Sequence, residues 1–80
     1  MNYSEANTEA LDLCRQLREK TKNREVNIIQ NKHTGLFSVG TNRHLYTSGD
    51  VVVQSYRNND GEHPDIIYKK EHVVVKKTRA

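Results

Sequence analysis

This 80-residue sequence predicts an α+β fold, with one N-terminal amphipathic helix followed by four or five antiparallel strands in a β-meander. Three observations predict it. Apolar residues recur at helical spacing only over the first twenty positions. Short runs rich in β-branched residues, Val51–Val53 and Val73–Val75 above all, fill the rest. Clusters of turn-forming residues separate those runs.

The helix spans residues 4–22 in this reading. Tyr3, Ala6, Ala10, Leu13, Cys14 and Leu17 trace a stripe at i, i+3, i+4 and i+7, the pattern of a helix that buries one face. Asn2 with Glu5 three residues on reads as a capping box, with Ser4 as a competing N-cap. Glu5, Glu9 and Asp12 lie toward the start, and Arg15, Arg18, Lys20 and Lys22 toward the end. That order opposes the helix dipole at both termini. Asn23 is the stop signal.

After Arg24 the period changes. Val26, Ile28 and Ile29 within Glu25–Lys32 predict a strand, and Leu36, Phe37 and Val39 its partner. His33-Thr34-Gly35 is the short connection between them, with glycine available for a positive φ. Leu45-Tyr46 resumes the strand pattern, and Ser48-Gly49-Asp50 turns into Val51–Tyr56. Three consecutive β-branched residues crowd a helix and suit a sheet. Residues 58–65 are dense in turn formers. Ile66-Ile67-Tyr68 and Val73-Val74-Val75 follow as one bent strand or two short ones, joined by residues 69–72.

The valine runs do not alternate with polar residues, so some strands are covered on both faces. One helix covers one face only. The sheet therefore either curls into a small barrel or packs against a second copy as a homodimer. Gly49-Asp50-Val51-Val52-Val53 and Glu71-His72-Val73-Val74-Val75 resemble a phrase of small barrels, including SH3-like and chaperonin-cofactor-like ones. That resemblance spans under a third of the chain. It implies an SH3-like barrel with an N-terminal helix as the alternative fold.

Eighty residues make one domain, expected over 1–80 with a frayed basic tail from about 78. No apolar run is long enough for a membrane span, and residues 1–5 have no signal-peptide character. The single cysteine, Cys14, has no partner for an internal disulfide, so cytoplasmic residence is expected. Net charge is +3 and is unevenly spread. Residues 50–65 carry four acidic groups and only Arg57, whereas residues 66–80 carry five basic groups and only Glu71.

Catalytic and metal chemistry find little support in these residues. His33, His44, His63 and His72 lack the spacing of a zinc site. Cys14 lies on the apolar stripe, where a thiol acts as a small hydrophobe. Asp60, Glu62 and Asp65 share one turn, a poor mount for paired acid–base groups. No phosphate-binding glycine loop or nucleophile elbow is present. The expectation is a non-enzymatic binding module with no cofactor or metal.

Two partner classes remain. A protein partner needs no motif, and a sheet edge or a charge-split surface would serve an inhibitor, adaptor or regulatory subunit. Nucleic acid is the alternative, because tyrosines beside cations on a sheet can stack bases and hold phosphates. The candidate contact residues are Arg43, Tyr46, Tyr56, Arg57, Tyr68, Lys69, Lys70, Lys76 and Lys77.

Overall fold

A computed structural model describes residues 1–18, 24–41, 46–58 and 63–72 of the chain. Helix α1 spans Tyr3–Arg18, followed by strands β1 (Glu25–Asn31), β2 (Phe37–Thr41), β3 (Asp50–Arg57) and β4 (Asp65–Lys69). All pairings are antiparallel, and the sheet is open, in the order β2-β1-β3-β4. The expected α+β class with its N-terminal helix is thus the observed one. The order adds a detail: β3 passes β2 and pairs with β1, which leaves the first strand in the interior of the sheet. The described strands do not close a barrel, since β2 and β4 lie at opposite edges. Expected elements in residues 19–22, 45 and 73–75, and the tail from 78, lie outside the described residues.

The capping box forms as the spacing predicts. Asn2 N–H donates to Glu5 Oε1 at 2.9 Å, and Glu5 N–H donates back to Asn2 Oδ1 at 2.8 Å. Two amides left over by the first turn are thereby satisfied. The stripe then delivers Ala6, Ala10 and Cys14 to the sheet, each at most 2% exposed. Two alanines in this stripe bring the helix backbone close to Val26, Ile28, Phe37, Val53 and Tyr56, with which they form the core. Each buried Val or Ile contributes roughly 1.5–3 kcal/mol.

The missing alternation has a local cause. Ile28 pairs with Gln54 and Ile29 with Val52, so Val53 is an extra residue, a bulge in β3. Two neighbours of one strand then serve the helix side together: Val53 joins the core and the Gln54 side chain bonds to the helix. On β1, Asn27 and Ile29 alternate away from Val26 and Ile28, yet both are buried. Asn27 Oδ1 accepts a 2.5 Å hydrogen bond from Ser55 Oγ, which pairs two polar groups that burial would otherwise leave costly.

Asn31 ties two turns together. Its Oδ1 accepts from the backbone of His33 and Thr34 at 2.9 and 3.1 Å, and its Nδ2 donates to Ser48 O and Asp50 Oδ1 at 3.0 Å each. Gly35, in the β1–β2 connection, has a φ of 74°. Gly49, in the turn before β3, has a φ of +87° and packs against His33; a Cβ there would fall 2.8 Å from Nε2 and nearer still to Cδ2. Only glycine suits that position.

Candidate functional site

The two edges of the sheet differ. At the β2 edge, Phe37 N–H donates to Met1 O at 2.9 Å, so the chain's own N-terminus occupies the start of that edge. At the β4 edge, every residue from Asp65 to Lys69 is exposed. Ile66 is 56%, Ile67 38% and Tyr68 45% exposed. Among the described residues β4 pairs on one side only, with β3. Three consecutive large apolar residues on an edge strand are unusual, because exposed edges are commonly blunted with charge or proline.

The sequence places β4 there for readable reasons. Ile66-Ile67-Tyr68 is β-favouring at each position, and Pro64 stands just before the strand, where its missing donor costs nothing. Tyr56 pairs with Ile66 and Ser55 with Tyr68, leaving Ile67 as a second bulge residue. The strand is held by its backbone and by the continuation at Lys70, whose N–H donates to Val53 O at 2.7 Å.

Of the candidate contact residues, Tyr68, Lys69 and Lys70 lie at the end of β4 and just beyond it and Arg57 opposite its start, all exposed. Arg57 stands opposite Asp65 in the register. Tyr46 is also exposed but lies before β3 and outside any strand. Arg43, Lys76 and Lys77 lie outside the described residues.

Tyr56 requires a correction. It was expected on an accessible face beside Arg57, but it is 5% exposed and part of the core. Alternation explains the difference: Arg57 faces outward because Tyr56 faces the helix. The Tyr56 hydroxyl donates to Asn7 Oδ1 and accepts from Gln54 Nε2 at 2.6 Å, and Gln54 Oε1 accepts from the Tyr3 hydroxyl at 2.5 Å. These four side chains form a polar chain that pins α1 to β3. Burial raises the Tyr56 phenol above its ordinary value, and the neighbouring Tyr3 and Cys14 add to the rise.

Cys14 is buried in the core, as its place on the stripe predicts. Burial pushes its thiol up to about 11, the opposite of an activated thiolate. Among the described residues no group of three or more His, Cys, Asp or Glu side chains gathers into a metal-binding arrangement. His33 sits at a turn beside Gly49. His72 lies in a cluster of rings, stacked on Tyr3 with centroids 5.2 Å apart and edge-on to Phe37 at 5.5 Å.

Ile66 and Ile67 are not legible as contact residues in the sequence, because a short apolar run reads equally well as core. Nor are Tyr3, Gln54 and His72, which meet only once the helix and the segment after β4 converge on β3. Also among the described residues, no helix is long and apolar enough to cross a membrane. No protein-family model, curated protein or solved structure matches the chain.

Proposed function

We propose that the chain is a non-enzymatic binding module that engages a protein partner through the β4 edge, as an inhibitor, adaptor or regulatory subunit would. The observation that carries this reading is the exposed run Ile66-Ile67-Tyr68 on a strand paired on one side among the described residues. An extended segment of a partner can add to such an edge. Backbone hydrogen bonds then supply affinity, and the isoleucine and tyrosine side chains supply apolar area. Arg57, Lys69 and Lys70 around it favour a partner segment that carries acidic residues. A lone thiol at Cys14 suits a reducing compartment such as the cytoplasm.

The test compares immobilised wild type with the Ile66→Lys/Tyr68→Lys variant in affinity capture read by mass spectrometry. A protein retained by the first and lost by the second supports the proposal, provided the variant keeps its unfolding midpoint. Equal capture by both overturns the edge as the contact. A second copy of the chain is the competing occupant, and light scattering decides it: a dimer that the same substitutions dissociate makes the partner a copy.

Nucleic acid is the second reading, supported by exposed Tyr68 beside Lys69 and Lys70. Burial of Tyr56 weakens it by leaving one tyrosine on the accessible sheet surface in place of a stacking platform. Mobility shifts with single- and double-stranded DNA and RNA at two salt concentrations separate the readings. Submicromolar binding that collapses with salt would establish the nucleic-acid role.

A further inference from the structure

A cleft of about 450 Å³ opens between the start of α1, strand β3 and the segment that leaves β4. One wall is the stacked pair Tyr3 and His72. Val53 and Gln54 form the floor, where the β3 bulge turns both toward the helix. Lys69, Lys70 and Glu71 line the remaining side.

The polar groups at the bottom of the cleft are already used. Gln54 Oε1 accepts from Tyr3 and Gln54 Nε2 donates to Tyr56, so the floor offers a ligand carbon surface and few open donors. The rings and Val53 continue that surface. Among the described residues, the charged lining of the cleft is Lys69, Lys70 and Glu71, two basic residues against one acidic. A bare inorganic anion would leave the apolar walls unfilled, and a neutral apolar body would gain nothing from the two lysines. A volume of this size suits a small molecule or one large side chain.

We infer that the cleft binds an aromatic carboxylate, the ring seated against Val53 and the Tyr3–His72 pair and the carboxylate held by Lys69 and Lys70. Such a group reaches a protein either as a free aromatic acid or as the C-terminal aromatic residue of another chain. The cleft shares Lys69 and Lys70 with the β4 edge, but Ile66, Ile67 and Tyr68 do not line it.

The test is an NMR titration of the labelled protein with N-acetylphenylalanine, its amide, and a tripeptide ending in phenylalanine. Saturable shifts of the Val53 methyls and the Gln54 side-chain amide are expected with the two carboxylates. The amide, and the Lys69→Gln/Lys70→Gln variant, should each bind about fivefold more weakly, the loss of two exposed charge contacts. Tighter binding of the tripeptide assigns the group to a chain end, and equal affinity assigns it to a free acid. Carboxylate and amide shifting Val53 and Gln54 alike, or shifts unchanged in a well-dispersed Lys69→Gln/Lys70→Gln spectrum, would overturn the inference. So would the absence of any shift at these two residues. A His72→Ala variant supplies the second check: it removes one wall and leaves both charges, and unchanged affinity there would refute the seat of the ring.

Discussion

The hydroxyl of Tyr3 donates to Oε1 of Gln54 across 2.5 Å, joining the first turn of the helix to the third strand. Gln54 is 3% exposed and passes the connection on to Tyr56, which reaches Asn7. A polar chain in that position has consequences that depend on which link is cut. Tyr3→Phe leaves one acceptor without its donor and should cost about 1 kcal/mol. Gln54→Leu removes the acceptor of the Tyr3 phenol and one of the two partners of the buried Tyr56 phenol, and should cost about 2–4 kcal/mol. Urea unfolding with the m-value held constant measures both, and equal costs would show that the Gln54–Tyr56 link adds no stability.

Gly49 is held by two separate constraints, a φ of +87° and the ring of His33. Gly49→Ala should lower stability by about 1–3 kcal/mol. Adding His33→Ala removes the collision and leaves the backbone strain, so the double variant should recover part of the loss. Complete recovery in a double-mutant cycle would mean that the positive φ carries no cost here.

Burial makes the Cys14 thiol a source of alkaline sensitivity. The Cys14 thiol ionises near 9.0 when exposed and near 11 in the folded chain, so above pH 9 the unfolded chain loses its proton first. Stability from the neutral thiol is therefore full below about pH 9 and falls as pH rises toward 11. The raised Tyr56 phenol acts in the same direction. Cys14→Ala should flatten the decline in the unfolding midpoint across that window. An unchanged slope would assign the decline to other groups. The same burial predicts slow reaction of the native thiol with a disulfide reagent at pH 8 and fast reaction in denaturant.

Asn58, 1% exposed, accepts from Arg24 N–H through Oδ1 at 2.5 Å and donates its own N–H to Arg24 O at 3.1 Å. It extends the β1–β3 ladder past the last regular pair. Asn58→Ala strands the Arg24 amide and should cost about 1–3 kcal/mol. Hydrogen exchange at Arg24 should rise more than at Ile28; uniform acceleration would show a global effect instead.

Local features of the fold were legible where neighbours in sequence are also partners in space. Asn2 and Glu5 make their capping box over three residues, and Ala6, Ala10 and Cys14 reach the core because the helical period alone puts them on one face. The turns at Gly35 and Gly49 were readable in the same way. Tyr56 was not, since an aromatic in a strand has two faces to choose from and the choice depends on which side the helix packs. Nor was the interior position of β1, which depends on β3 bypassing β2. Buried Asn27, Gln54, Ser55 and Asn58 were hidden for a related reason. Their polarity reads as exposure until partners 28 to 51 residues away satisfy them. The candidate edge was half legible: Tyr68, Lys69 and Lys70 stood out by type, whereas Ile66 and Ile67 reveal themselves only by lying on a strand with one described neighbour.

The strand order also fixes a timetable. β1 gains its hairpin partner β2 within a dozen residues, but the pairing of Glu25 with Arg57 waits for more than thirty further positions of chain. On a ribosome adding residues one at a time, the second flank of β1, with Asn27 and Ile29, stays wet until β3 emerges. The β1–β2 hairpin should therefore be protected early in refolding and β3 late. Pulsed deuterium labelling resolves that order amide by amide.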